Sequence, residues 1–316
     1  MQLQKRKVMK KLDIILINPR GFCAGVDRAI EIVEKSLEKF GKPLYVRHEI
    51  VHNKVIVENF KKRGVIFVEE VSQIPVGSTA IFSAHGVAKV VENEAKEKSL
   101  NYLDATCPLV TKVHKAGIDY KSKGYEIILI GHVNHPEVVG TMGRIEPPVH
   151  LVSSIADIAN LNISSDKIAF ITQTTLSMLD TKDIIEALQH KFPNIEGLDN
   201  KNICYATQNR QMAVLDVIND VDSLIVIGSQ NSSNSKRLKE IGDNYNKPSF
   251  LIDNLINIPF EALNSCKSLA VTAGASAPEY LVQDIISEIK KHYDTSVKEH
   301  HYTEENVVFH LPKQLR

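Results

Sequence analysis

Short apolar runs of strand length recur along this chain, each followed by a stretch whose apolar residues fall at helical spacing. That alternation predicts an α/β protein with largely parallel sheets. The run Ile14 to Ile17 leads into GFCAGVDRA, where Cys23 precedes Val26, Ile30, Val33 and Leu37. The same event follows at NYLDATCPLVTKV, where Cys107 precedes Leu109, Val113, Ala116 and Tyr120, and at NICYATQNRQMAV, where Cys204 precedes Val214, Val217, Ile218 and Val221. Each cysteine is thus placed at or just before a helix start.

Downstream of each cysteine a further strand ends in a polar cluster: PLYVRHEIVHN with His52, EIILIGHVNHPE with His135 and Glu137, and SLIVIGSQNSSN with Ser232, Ser233 and Asn234. The offsets from the cysteines to His52, His135 and Ser232 are 29, 28 and 28 residues. A third strand follows (VIFV at 65 to 68, HLV at 150 to 152, SFLI at 249 to 252), and a fourth runs into small polar residues: TAIFSAHG with His85, IAFITQTT with Thr174 and LAVTAGASAP with Ser276. This repetition predicts three small parallel-sheet α/β lobes about a pseudo-threefold axis, at 12–106, 107–203 and 204–291. A last helix is expected at 281–291, and 292–316 reads as a tail with one short strand, VVFHL. Ligands bind at the carboxyl ends of strands in such sheets, so the polar loops are expected to serve one central site.

Composition narrows the choices. Lys plus Arg and Asp plus Glu number 38 each, which leaves no global positive field to attract nucleic acid or anionic lipid. No apolar run approaches the roughly 20 residues that span a bilayer. The basic start, KRKVMKK, leads into a strand and not into a signal-peptide core, so a cytoplasmic protein is expected. Four cysteines in 316 residues, with no C-x-x-C pair, fit neither a disulfide framework nor a short zinc knuckle.

A helix start favours thiolate, which makes Cys23, Cys107 and Cys204 candidate metal ligands. Thiolates suit zinc, copper(I) or iron-sulfur clusters. Three of them could hold a cubane with one iron open, or zinc completed by His52, His85 or His135. Cys266, at the start of a strand and outside the repeated position, is expected in the core. Neither GxxxxGK[ST] nor GxGxxG occurs, so no nucleotide fingerprint is present. His52, His85, Ser232, Ser233, Asn234 and Ser276, with backbone donors near them, suit the oxygens of a small anionic phosphate ligand. Glu137, one of only two acids in these loop ends, is the candidate proton donor.

The motifs GFCAGVDRAI, VRHEIVHN, SAHGV, DATCPLVTKVH, GHVNHPEVVGTMG, TQTTLS, CYATQNRQ, GSQNSSNS and TAGASAP, spread from residue 18 to residue 280, together resemble the 4-hydroxy-3-methylbut-2-enyl diphosphate reductase family. The resemblance implies a trefoil of three lobes around a central 4Fe-4S cluster on Cys23, Cys107 and Cys204. It further implies reductive loss of the substrate hydroxyl as water at the cluster's open iron, giving isopentenyl and dimethylallyl diphosphates for isoprenoid biosynthesis. Matched residue by residue, it assigns the diphosphate to His52, His85, Ser232, Ser233, Asn234 and Ser276. Thr174 and His135 would flank the reacting alcohol, and Glu137 would donate the proton. Without a nicotinamide or flavin motif, electrons are expected from a separate carrier such as flavodoxin or ferredoxin. Quinolinate synthase shares the three-lobed, three-cysteine plan, but the HPE and NSSN motifs speak against it. A non-catalytic metal or redox-sensing protein is the other alternative.

Overall fold

The computed structural model describes residues 9–197 and 203–316. Most of the basic start, and Asn202 at the head of NICYATQNRQ, lie outside the described residues. The chain runs β1 (Lys11–Asn18), α1 (Ala24–Phe40), β2 (Leu44–Arg47), α2 (Lys54–Lys62), β3 (Val65–Val68), β4 (Thr79–Phe82), α3 (Lys89–Glu97) and β5 (Asn101–Asp104). It continues through α4 (Pro108–Ser122), β6 (Glu126–Ile130), α5 (Pro136–Met142), β7 (Val149–Val152), α6 (Ile155–Ala159), β8 (Ile168–Thr172), α7 (Met178–Lys191) and β9 (Glu196–Gly197). Next come α8 (Tyr205–Val217), β10 (Ser223–Ile227), α9 (Ser233–Asn244), β11 (Ser249–Ile252), α10 (Phe260–Leu263), β12 (Ser268–Ala273), α11 (Glu279–His292) and β13 (Asp294–His301).

Two compact units result, one formed by 1–22 with 209–306 and a larger one by 23–208 with 307–316. The larger unit holds two four-stranded parallel sheets, ordered β3-β2-β4-β5 and β7-β6-β8-β9. The smaller holds a five-stranded parallel sheet, ordered β11-β10-β12-β1-β13. Strands covered on both faces read as continuous apolar runs. In the smaller unit Ile225 and Ile227 join a core with Val282, Ile285 and Ile289 of α11, while Leu224 and Val226 face Val214 and Val217 of α8 and Leu238 of α9. Cys266 is buried in the first of these cores, as its sequence position suggested.

All three sheets share one permutation, second strand, first, third, fourth. Strand order reverses between the first and third strands, and loops leaving the carboxyl ends of those two are the places where a parallel α/β sheet can bind a ligand. His52 and His85 follow β2 and β4, His135 and Thr174 follow β6 and β8, and Ser232 and Ser276 follow β10 and β12. The cysteines occupy the remaining place: Cys107, Cys204 and Cys23 follow the fourth strands β5, β9 and β1.

Two expectations change. The run at Ile14 to Ile17, counted with the first lobe in the 12–106 reading, lies in β1, which pairs with β12 and completes the last sheet. Sequence adjacency to Cys23 concealed this, because parallel pairing joins strands far apart in the chain. VVFHL forms no strand, and the tail's strand is instead β13, paired with β1 over its whole length. Its polar sequence, DTSVKEHH, suits an exposed sheet edge and carries little apolar signal.

Candidate functional site

The three repeated cysteines are helix N-caps. Their carbonyls accept the first helical bonds, from Asp27 N–H onto Cys23 at 2.9 Å, Thr111 N–H onto Cys107 at 2.9 Å and Gln208 N–H onto Cys204 at 3.0 Å. Cys23 and Cys107 have the non-helical backbone of a cap, and Pro108 suits the first turn because its missing N–H would have had no partner there. Two of the cysteines are tied back to their own sheets, Cys107 N–H donating to Ala84 O and Cys204 N–H to Thr174 O, both at 3.0 Å. A Cβ on Gly25 would lie 2.7 Å from Cys107 Sγ and 3.8 Å from Cys23 Sγ, so only glycine leaves room for the two sulfurs.

The helix starts do not make Cys107 and Cys204 acidic. Burial pushes Cys107 up to about 12; the Leu109 and Val110 N–H groups oppose it, and the Cys23 and Cys204 sulfurs add to it. Burial likewise raises Cys204 to about 11, with Cys23 reinforcing the shift and Thr207 opposing it through N–H and hydroxyl contacts at 3.4 and 3.1 Å. Desolvation outweighs the helix dipole here.

Also in the larger unit, three imidazoles form a triangle. The His52 and His85 rings are 4.1 Å apart, and His135 stands edge-on at 5.6 Å from His52 and 6.0 Å from His85. Burial, with His52 and His135 close by, holds His85 well below the ordinary imidazole range. His135 caps α5, and its Nδ1 accepts the Glu137 N–H at 3.2 Å, which places the neutral ring's hydrogen on Nε2 as a donor. His52 Nδ1 lies 3.3 Å from the Glu49 carboxylate.

Glu137 is 3% exposed, and both its oxygens accept from Thr174, Oε1 from the backbone N–H at 2.7 Å and Oε2 from Oγ1–H at 2.9 Å. Burial raises its pKa to about 7 against the pull of those two bonds. Because Thr174 also accepts the Cys204 N–H, one residue joins the acid to a cysteine loop.

In the smaller unit, Ser232 caps α9 and accepts the Ser235 N–H at 3.4 Å. Ser233 and Asn234 lie buried in the first turn, and both polar atoms of the Asn234 amide are buried without a hydrogen-bond partner. A Cβ on Gly274 would lie 2.0 Å from Ser235 Oγ and 3.4 Å from Asn234 Nδ2, so glycine lets the loop bearing buried Ser276 approach this helix start. The unpaired Asn234 Nδ2 is a donor at a helix N-terminus, chemistry that a ligand oxygen can meet.

Sequence reasoning singled out neither Gln173 nor His114. Gln173 accepts the His132 N–H and donates to Thr175 Oγ1, both at 3.0 Å, and so ties the loop before His135 to the one bearing Thr174. His114 on α4 is pushed down to about 4 by burial, with Arg144 adding and Asp104 opposing, and its ring would be 2.8 Å from a Cβ on Gly86. Both lay inside quoted motifs, where nothing distinguished them from their neighbours.

A capping cysteine after each fourth strand and a buried acid tied to a cysteine loop mark an α/β enzyme with a thiol-bearing site. The LytB protein family matches residues 14–290, and the chain belongs to that family. It is 51% identical over 309 residues, 96% of this chain and 99% of the relative, to a protein of Methylococcus capsulatus named 4-hydroxy-3-methylbut-2-enyl diphosphate reductase. A Rhodopseudomonas palustris protein named 4-hydroxy-3-methylbut-2-enyl diphosphate reductase 1 is 54% identical over 303 residues, covering 96% and 99% of the two chains. The solved E-1-hydroxy-2-methyl-but-2-enyl-4-diphosphate reductase of Plasmodium falciparum superposes with a TM-score of 0.94 at 39% identity, over 97% of each chain.

Proposed function

We propose that this chain reduces 4-hydroxy-3-methylbut-2-enyl diphosphate to isopentenyl and dimethylallyl diphosphates, consuming two electrons and two protons and releasing the hydroxyl as water. The observation that carries this reading is Glu137, an acid with a pKa of about 7 bonded through Thr174 to the loop of Cys204. Cys23, Cys107 and Cys204 are assigned a 4Fe-4S cluster. Their thiols sense one another electrostatically, and glycine at position 25 leaves the sulfurs space. When bound, such a cluster supplies one-electron transfers and an open Lewis-acidic iron.

The chain's own residues deliver the proton that leaves with the hydroxyl, and the second proton, which forms the new C–H bond, is assigned to the substrate's own diphosphate. With Glu137 protonated, the bond between Oε2 and Oγ1 runs the other way: Oε2–H donates to Thr174 Oγ1, whose own hydrogen passes to the departing hydroxyl, while Thr174 N–H keeps Oε1 in place. His135, with its hydrogen on Nε2, donates toward the same alcohol. The diphosphate is assigned to two donor groups, His52 and His85 in one and Ser232, Ser233, Asn234 and Ser276 in the other. Electrons come from a separate carrier of the flavodoxin or ferredoxin kind. Among the described residues no helix is long and apolar enough to cross a membrane, and the cytoplasm is the proposed location.

Anaerobic purification with iron and sulfide analysis tests the assignment. Cys23→Ser, Cys107→Ser and Cys204→Ser each lose most of the iron and the visible absorption, whereas Cys266→Ser keeps both. Full iron content in any of the first three removes that cysteine from the ligand set.

A further inference from the structure

Two arginines lie outside the chemistry described so far, and each holds the backbone just ahead of a cysteine. Arg210, six residues after Cys204, has a side chain only 1% exposed. Its Nη2 donates to Gly21 O at 2.9 Å and more weakly to Phe22 O at 3.5 Å, the two carbonyls immediately before Cys23. Its Nη1 donates to both oxygens of Glu305, at 2.9 and 3.1 Å, and Asn209 Nδ2 donates to the same carboxylate at 3.0 Å. Arg28, five residues after Cys23, repeats the arrangement. Its Nη1 donates to Ala105 O at 3.3 Å and Thr106 O at 3.1 Å, immediately before Cys107, while its Nε donates to His310 O at 2.9 Å. The last residues are secured beside it, Lys39 Nζ donating to Gln314 O at 2.6 Å and Leu315 lying buried.

We propose that Arg210 and Arg28 are positioning residues for the loops of Cys23 and Cys107, and that the C-terminal segment, through Glu305 and His310, holds both guanidinium groups in place. A guanidinium offers five donors in a fixed fork, so one side chain can fix two consecutive carbonyls with one arm and an anchor with another. A carbonyl held immediately before a cysteine limits the directions its Sγ can take. The tail thereby acquires a role that its weak sequence pattern hid: it contributes a carboxylate and a carbonyl to the supports of two ligand loops, and no residue to the chemistry.

This inference rests on the ligand reading of Cys23 and Cys107, and its test separates the two. The full chain is purified anaerobically, iron release to a chelator is timed, and the iron-depleted protein is pulse-alkylated, with each cysteine followed by peptide mass spectrometry. Arg210→Met combined with Glu305→Met removes the clamp without leaving a buried charge unpaired. The expected result is faster iron release and alkylation of Cys23 accelerated by about tenfold, with Cys204 and Cys266 little changed. Arg28→Met shifts the selectivity to Cys107. Arg210→Lys, which keeps the charge, gives the Cys23 pattern at smaller amplitude. If the paired methionines served only to fill the core, Cys23 would stay as protected as in wild type, and that result overturns the proposal. So does Cys266 reacting in step with Cys23 in both Arg210 variants, since opening is then global. Wild-type protein that binds no iron refutes the ligand reading alone, because the alkylation pattern still reports on the loops.

Discussion

Glu92 and Glu137 are two carboxylates of the larger unit whose surroundings drive them in opposite directions. Glu92, on α3, is ringed by cations: Lys96 at 2.7 Å, Arg144 at 2.7 Å and Lys89 at 3.2 Å, with the Tyr102 hydroxyl at 3.3 Å. The Lys96 hydrogen bond, helped by those of Lys89 and Arg144, brings it down to about 2 against the effect of burial. Glu137 has only uncharged donors on its oxygens, both from Thr174, and burial takes it up to about 7. The two neutral hydrogen bonds oppose the desolvation of Glu137 but do not outweigh it. One acid is therefore locked as an anion that ties α3 to Arg144. The other sits near its midpoint at neutral pH, where a group that must give and recover a proton belongs.

Removing the transferable proton gives the largest expected effect. Glu137→Gln keeps the shape, and kcat falls by about 10² to 10⁴-fold with iron content unchanged, measured anaerobically with an artificial one-electron donor. A variant within threefold of wild type would make Glu137 a capping residue of α5 and nothing more. Thr174→Val is milder, because the backbone N–H to Oε1 survives while the hydroxyl relay is lost. We expect about a tenfold loss in kcat, on the scale of one hydrogen bond to a charged group, with KM nearly unchanged. A KM effect larger than the kcat effect would assign Thr174 to binding alone.

The contrast between these acids shows how far sequence reading reaches. The alternation of apolar runs and helical spacings made the α/β class legible, and the nearly equal offsets to His52, His135 and Ser232 marked polar loops at equivalent strand ends. Glu137 was legible because an acid is rare among those loop ends. Its elevated pKa was not, since desolvation depends on packing from elements distant in the chain. Nor could spacing reveal that burial overrides the helix dipole at Cys107 and Cys204. β1 was recognised as a strand but counted with the first lobe, because parallel pairing is a tertiary property. β13 was missed because an edge strand with polar residues has no amphipathic signature. Arg210 gave no sign of burial, and its partner Glu305 is 95 residues away.

The smallest expected effect uses pH to separate the two acids by stability. Glu137 has a folded pKa near 7, above its ordinary value of 4.5, so between those limits the folded state keeps a proton that the unfolded chain has released. Stability must then fall as pH rises across that window, by about 3 kcal/mol for a fully buried group. Glu137→Gln should flatten this slope in urea unfolding midpoints between pH 4.5 and 7. Glu92 has the opposite sign: its contribution is present above 4.5 and is lost as pH falls toward 2. Its cation partners Lys89 and Lys96 are about half exposed, so solvent screens much of the interaction. Glu92→Gln is accordingly expected to cost no more than about 1 kcal/mol at pH 7. It should reduce the acid-side loss of stability and leave turnover as in wild type. If Glu92→Gln instead lowered kcat at neutral pH while Glu137→Gln left the pH 4.5 to 7 slope intact, the division between a structural and a proton-transferring carboxylate would have to be reversed.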